Sequence, residues 1–174
     1  MLALAMTQKT HQVPVDGRLW RTVTTPVGVV LVVVSDIGVA RIDFVDHNRE
    51  VKPASSNASE AHPILAEALL QLTEYFEGTR TTFSLPLDID GTEFQQLAWS
   101  ALARIPYGHT MTYGEQAASI GRPRAVRAIG TANSKNPIAI LLPCHRVIGA
   151  DGSLTGYAGG LDKKIWLLDH ERSR

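Results

Sequence analysis

The stretch TYGEQAASIGRPRAVRAIGTAN, Thr112–Asn133, decides the architecture of the C-terminal half. Thr112-x-x-Glu115 is a capping box, in which the Thr hydroxyl and the Glu carboxylate each satisfy a backbone N–H left free by the first turn. It opens a short helix to about Ile120. Gly121 makes a turn, and Pro123, suited to a first helical position, opens a second helix to about Asn133. Two short helices joined by a glycine turn predict a helix-turn-helix. At about 100° per residue, Arg124, Arg127, Ala128 and Thr131 share one face of the second helix, with Val126, Ile129 and Asn133 opposite. Readers of major-groove bases display long polar side chains on such a face. Small Ala128 and Thr131 flanking Arg127 instead permit close approach to a backbone or a narrow groove, with one Arg protruding. That favours sequence-independent contact. A plain solvated helix face is the alternative these residues leave open.

N-terminal to this unit, Thr92-x-x-Gln95 is a second capping box, followed by Phe94, Leu97, Ala98, Ala101 and Ile105 on one apolar face. Pro86–Gly91 reads as a linker. Before it, Leu19–Thr25, Val29–Val34 and Val39–Val45 are β-branched or alternating runs separated by short turns, which predicts an antiparallel meander. Asp46–His62 is polar and reads as a loop, and its Asn57-Ala58-Ser59 sequon is accidental in a cytoplasmic protein. Leu65, Leu69, Leu72 and Phe76 mark one face of a helix opened by Pro63 and ended by Gly78. Residues 1–17 read as a loose tail. The expected organisation is α+β: an N-terminal unit over 1–85, a linker over 86–91 and a mainly helical unit over 92–174.

C-terminal to the helix pair, Asn136-Pro137 leads into Ile138–Leu142, five apolar residues that suggest a buried strand or extended segment. Pro143 closes it, and Cys144, His145, Arg146 and Val147 follow. An ordinary thiol titrates near ~8.5 and is mostly protonated at neutral pH, so a nearby imidazole can activate it as a nucleophile. Adjacent residues on an extended chain point to opposite sides, so a bridging water is the expected proton route. A buried inert Cys and a hydrogen-bonded core His are the bland alternatives. In the last helix, Leu161, Ile165 and Leu168 recur at i, i+4 and i+7, and Glu171 falls toward the buried side. A buried carboxylate needs a partner. His145 would complete a Cys–His–Glu series of nucleophile, base and orienter; a frayed Glu171 paired with Lys163 or Lys164 is the alternative.

Charge and composition agree with a globular protein that faces a polyanion. The chain has 174 residues, 17 basic and 17 acidic side chains, one Cys and 44% apolar residues. Residues 1–94 carry seven basic and twelve acidic side chains, whereas residues 95–150 carry six basic and one acidic. The neutral total is therefore segregated, with the basic block on the motif-rich stretch. One Cys excludes an internal disulfide and any zinc site built on two thiolates of this chain. No metal and no cofactor is expected. No stretch reaches the ~18 apolar residues of a membrane span, and Leu2–Met6 is too short for a signal-peptide core. No membrane partner is expected, and a cytoplasmic location is.

Pro143-Cys144-His145-Arg146-Val147 resembles the active-site signature of the O6-alkylguanine-DNA alkyltransferases. Around it, Arg127-Ala128-Ile129-Gly130 resembles the family's recognition-helix motif, and Asn136-Pro137 its Asn hinge. Gly156-Tyr157-Ala158-Gly159-Gly160 resembles the substrate-side loop, and Trp166-Leu167-Leu168-x-His170-Glu171 the terminal helix. The resemblance runs from about Thr92 to Glu171. It implies a ribonuclease H-like N-terminal domain and irreversible transfer of an alkyl group from O6-alkylguanine, and from O4-alkylthymine, to Cys144. It implies binding to the minor groove of double-stranded DNA without sequence preference, through Arg124, Arg127, Ala128, Gly130 and Thr131. Arg127 would fill the stack behind a flipped nucleotide, and Tyr113 would assist flipping and donate a proton to the departing guanine. Tyr157, the Val147 carbonyl and the Ala158 N–H would hold the lesion. His145, through water and with Glu171 behind it, would deprotonate Cys144, and Asn136 would order the turn that presents it. A monomer is implied, with cooperative loading on DNA left open. Some members carry Pro where Ala139 stands and Ser where Ala158 stands, both expected near the pocket, so these positions bear on tolerance of bulky alkyl groups.

Three other classes compete. A non-reacting sensor of alkylated DNA would lack Cys144. An ordinary helix-turn-helix regulator would place base-reading side chains where Ala128 and Thr131 stand. A Cys–His hydrolase would need an oxyanion device that is not evident.

Overall fold

A computed structural model of the chain describes residues 18–45 and 62–173. The expected tail over 1–17, the polar loop short of its last residue and the Asn57 sequon lie outside them; that last residue, His62, caps α1. Strands β1 (Leu19–Thr25), β2 (Gly28–Val34) and β3 (Val39–Val45) form an antiparallel sheet in that order. Pro26 and Val27 span the first hairpin, whose Thr25 hydroxyl donates to the Gly28 carbonyl at 2.7 Å. Being central, β2 buries every residue from Val30 to Val34, which is why it reads as an unbroken aliphatic run.

Helix α1 (Pro63–Glu77) lies against β1 and β2. Its buried face is Leu65, Ala68, Gln71, Leu72 and Tyr75, so Leu69 and Phe76 flank the core instead of centring it. Apolar periodicity missed the offset because Gln71 and Tyr75 end in polar atoms. The stretch read as a linker runs beside β3: Val39 N–H donates to the Pro86 carbonyl at 2.8 Å and Asp88 N–H to the Val39 carbonyl at 2.9 Å. Any Cβ at Gly38 would sit 2.6 Å from the Pro86 oxygen.

Helix α2 (Glu93–Leu102) carries both halves of its capping box. It buries Ala98, Trp99, Ala101 and Leu102, while Leu97, expected in the core, faces solvent. A two-residue strand β4 (Met111–Thr112) pairs in parallel with β5 (Val147–Ile148), a contact too short to leave a periodic signal. Helices α3 (Tyr113–Ser119) and α4 (Val126–Ser134) pack on α2 around Ala98, Ala117, Ile129 and Ala132. The side-chain amides of Gln116 and Asn133 exchange hydrogen bonds at 2.8 and 3.1 Å, and Gln116 also donates to the Ala98 carbonyl at 3.0 Å. Helix α4 starts later than expected. Residues 123–125 are a turn in which Ala125 N–H donates to the Arg122 carbonyl at 2.8 Å, so Arg124 precedes the helix. Val126, expected on the core face, is 41% exposed.

Ile138–Leu142 is buried in part as expected but is not a strand. Only Ile138 bridges β3, with Ile42 N–H donating to the Pro137 carbonyl and Ala139 N–H to the Ile42 carbonyl, both at 3.0 Å. The chain then folds back, with Leu142 N–H on the Ile138 carbonyl at 3.1 Å and Ile140 at φ 74°. A β-branched residue tolerates that left-handed conformation only where packing enforces it, and Ile140 is 1% exposed. The terminal helix α5 (Leu161–Arg172) buries Lys164, Leu167, Leu168 and Glu171. Leu161 and Ile165, expected in its apolar stripe, are 45% and 46% exposed, because two charged residues occupy the inner face.

Candidate active site and DNA-facing helices

Pro143 ends the folded-back turn, and Cys144–Arg146 form a single 3₁₀ turn leading into β5. The turn is set by Asn136. Its Nδ2 donates to the Leu142 carbonyl at 2.7 Å and to Cys144 Sγ at 3.2 Å, and its Oδ1 accepts from Ile138 N–H at 3.0 Å. One side chain therefore closes the loop and touches the sulfur.

Behind the thiol lies a buried ionic group. His145 Nε2 donates to Glu171 Oε1 at 2.8 Å, which assigns the ring hydrogen to Nε2 and leaves Nδ1 as an acceptor. Nδ1 is buried and has no partner among the described residues. Glu171 is also bound by the Arg146 guanidinium, through Nε at 2.8 Å and Nη2 at 3.0 Å, while Nη1 donates to the Ile105 carbonyl at 2.6 Å. The alternative pairing with Lys163 or Lys164 does not form. Lys163 lies beside Asp162. Lys164, fully buried, donates to the carbonyls of Val147 at 2.7 Å and Thr155 at 3.1 Å.

Burial pushes the Cys144 thiol above its usual pKa, and the Asn136 amide and Lys164 ammonium pull it partly back. Desolvation holds His145 below its ordinary value against the attraction of Glu171, with Arg146 and Lys164 adding to the depression. Burial alone would raise Glu171, but hydrogen bonds from His145 and Arg146 keep it well below the carboxylate range. The resting group is thus a protonated thiol, a neutral imidazole and an ionised carboxylate.

Cys144 opens onto a cavity of about 550 Å³ bordered by Tyr113, Arg127, Gly130, Tyr157 and Ala158, together with Val126, Asn133, Ser134, Thr155 and Gly156. Five of the residues expected around the thiol therefore meet in one place. Tyr113 donates its hydroxyl to the Thr155 carbonyl at 3.2 Å. Arg124, Ala128 and Thr131 do not line the cavity; they are exposed on the outer surface beside Arg127. Val147 is also absent from the lining, fully buried with its carbonyl held by Lys164. Ala139 lies in the folded-back turn rather than at the cavity, in contrast to Ala158. Arg146, counted in the basic block, is spent on Glu171 inside the protein. Lys164 was expected only as an alternative partner of Glu171; its burial against the Val147 and Thr155 carbonyls was not, although the wheel of α5 places it on the same side as Leu168 and Glu171.

A three-stranded sheet with a helix, joined to a helix-turn-helix that flanks a Pro-Cys-His-Arg-Val turn, is the architecture of the DNA alkyltransferases. Two family models match the chain: the ribonuclease-like domain of 6-O-methylguanine DNA methyltransferase over residues 19–89, and its DNA binding domain over residues 93–173. The chain belongs to that family. It is 46% identical over 151 residues to the methylated-DNA–protein-cysteine methyltransferase of Methanosarcina barkeri, covering 87% of this chain and 95% of the relative. It is 48% identical over 153 residues to the protein of that name from Mycolicibacterium paratuberculosis, covering 88% and 92%. The crystal structure of Mycobacterium tuberculosis O6-methylguanine methyltransferase superposes with a TM-score of 0.78 at 41% identity, covering 90% of this chain and 94% of that one. The Mycobacterium tuberculosis OGT structure in complex with DNA gives the same TM-score at 42% identity, covering 88% and 92%. No described helix is long and apolar enough to cross a membrane.

Proposed function

We propose that the chain repairs alkylated DNA by direct reversal, moving the alkyl group of O6-alkylguanine, and of O4-alkylthymine, to Cys144 in a single irreversible turnover. The observation that carries this reading is that Cys144 and Arg127 of the helix-turn-helix line the same cavity. The relatives named as methylated-DNA–protein-cysteine methyltransferases support it. So does the DNA complex of the Mycobacterium tuberculosis protein, at 42% identity.

The helix-turn-helix presents Arg124 from the turn before α4, and Arg127, Ala128, Gly130 and Thr131 from α4, to the minor groove of double-stranded DNA, without sequence preference. Ala128 and Thr131 are short enough for close approach, and Arg127 enters the stack as the damaged nucleotide turns outward. Flipping costs a few kcal/mol and least for a weakly paired base. Tyr157 and the Ala158 N–H hold the base, with the Val147 carbonyl behind them. His145 Nδ1 takes the thiol proton through a water, and Glu171 orients the ring by holding Nε2–H. The thiolate forms a bond to the alkyl carbon while the carbon–O6 bond breaks. Its electron pair goes to the guanine, which receives a proton from Tyr113. The product is a thioether, and no second thiol exists to release it.

The chain works as a cytoplasmic monomer, organised as units over 1–85 and 92–174 with residues 86–91 between them. The separate spans of the two family models, 19–89 and 93–173, support two units that meet near residue 91. The test is stoichiometry: one equivalent of protein restores one equivalent of guanine in a methylated duplex and then stops. Repeated turnover, or lesion binding without restored guanine, would refute the proposal.

A further inference from the structure

The Glu171 carboxylate is gripped by more than its neighbours around the thiol. Oε1 accepts from His145 Nε2 at 2.8 Å, Arg146 Nη2 at 3.0 Å and the Tyr75 hydroxyl at 2.7 Å. Oε2 accepts from Arg146 Nε at 2.8 Å and Gly108 N–H at 3.2 Å. Four of these five donors belong to the C-terminal half. The shortest comes from α1, 96 residues away in the chain. Tyr75 is fully buried, its ring packed against Phe76, Phe83, Tyr107 and His170 at centroid distances of 5.3 to 6.1 Å. Its backbone carbonyl meets His170 Nε2 at 2.7 Å, so the residue is tied to α5 at both ends. A Phe would fill the same aromatic cluster. A hydroxyl at its base is costly to desolvate unless it has a bond to make.

We propose that Tyr75 is a positioning residue for alkyl transfer: its hydroxyl fixes Glu171 Oε1 at the point where His145 Nε2–H donates, and so leaves His145 Nδ1 as the free acceptor. The proposal rests on the reading of His145 as the base for Cys144. Three donors on one oxygen prevent the carboxylate from turning. They also share its charge, so Oε1 is a weaker partner for a protonated imidazole than a bare carboxylate would be. His145 is surrounded by Glu171 and Lys164 from α5, by Cys144 and Arg146 on its own segment, and by Tyr75 and Tyr107 around the Glu171–Arg146 pair. The two cations oppose protonation of the ring, and the Tyr75 hydroxyl acts in the same direction by sharing Oε1. Burial and the adjacent Glu171 push Tyr75 far above the usual phenol range, so it remains a donor at every working pH. The N-terminal half thereby takes part in the chemistry and not only in folding.

The experiment is single-turnover transfer by Tyr75→Phe from about pH 5 to about pH 9, using a methylated duplex and, in parallel, free O6-benzylguanine. The variant keeps the ring and loses one oxygen. Transfer near neutral pH is expected to fall about tenfold on both substrates, the scale of one hydrogen bond to a charged group. The acidic limb of the profile is expected to move to higher pH, because Oε1 without its neutral donor holds imidazolium more tightly. Site-specific replacement of Tyr75 by 3-fluorotyrosine, a stronger donor of the same shape, should move that limb to lower pH and covers a Phe variant that fails to fold. A folded Phe variant with the parental rate and limb would overturn the proposal. So would one that merely melts earlier, or a fluorotyrosine protein with an unmoved limb. Failure of the parent protein itself to transfer the alkyl group would overturn the functional reading, which the parental arm reports separately.

Discussion

Replacing Glu171 by Met isolates a buried electrostatic network of the fold. The carboxylate balances Arg146, whose guanidinium is nearly buried, and accepts from His145, Tyr75 and Gly108 as well. Removing one partner of such a pair leaves an uncompensated charge, at a cost of about 3–5 kcal/mol. For a chain of this size that lowers the melting temperature by about 10 °C. Arg146→Met together with Glu171→Met removes the stranded charge, though it still orphans the Tyr75 hydroxyl, His145 Nε2 and the Ile105 carbonyl. The double variant should therefore be more stable than Glu171→Met alone, by about 1–3 kcal/mol. Urea unfolding followed by tryptophan fluorescence measures both. The pH dependence has a defined sign. Glu171 and His145 are both held below their ordinary values in the folded state. Each therefore contributes stability above its unfolded pKa that is lost on acidification. Stability should fall first as the unfolded His145 takes up its proton near ~6.5, then more steeply near ~4.3 as the unfolded Glu171 does. Glu171→Met should show a smaller lower step, leaving the part due to Glu115 and Asp151, which are also held below their ordinary values by hydrogen bonds. Purely additive losses in the double variant, or an unchanged acid profile, would refute the buried-charge reasoning.

Other outcomes follow from the same geometry. Arg127→Ala should slow transfer from duplex DNA far more than from a free O6-alkylated base; equal slowing in paired single-turnover assays would remove its role in flipping. Asn136→Ala removes a donor that lowers the Cys144 pKa, so the thiol should titrate higher and react more slowly with a small electrophile at a given pH. A pH series with iodoacetamide checks this. Gln116→Leu leaves the Asn133 amide buried without its partner and should cost about 1–3 kcal/mol in thermal unfolding. Gln116→Leu with Asn133→Leu should cost less than the two single changes summed.

The strands and the capped helix starts were legible because local chemistry specifies them. β-Branched or alternating runs made β1 to β3, and Thr92 and Thr112 capped the helices expected of them. The thiol, its His and Glu171 were legible as a set from residue type and motif. The offset faces of α1 and α5 share one cause. Apolar periodicity assigns burial by hydrophobicity, yet the inner faces of α1, α3 and α5 carry Gln71, Tyr75, Gln116, Lys164 and Glu171. Each is buried because a distant group completes it: Ser84 for Gln71, Asn133 for Gln116, Val147 and Thr155 for Lys164. The fold-back at Ile138–Leu142 was likewise hidden, since an apolar pentapeptide is equally a strand or a packed turn until its partners are known. The choice is made by β3 pairing with Pro137–Ala139 and by the Asn136 side chain.

The most direct test of the account is the mass of the protein after incubation with a duplex carrying O6-methylguanine. One methyl group should be found on Cys144, with guanine restored in the DNA and no adduct in Cys144→Ala. An unmodified protein bound tightly to the lesion, or a methyl group on any other residue, would contradict it.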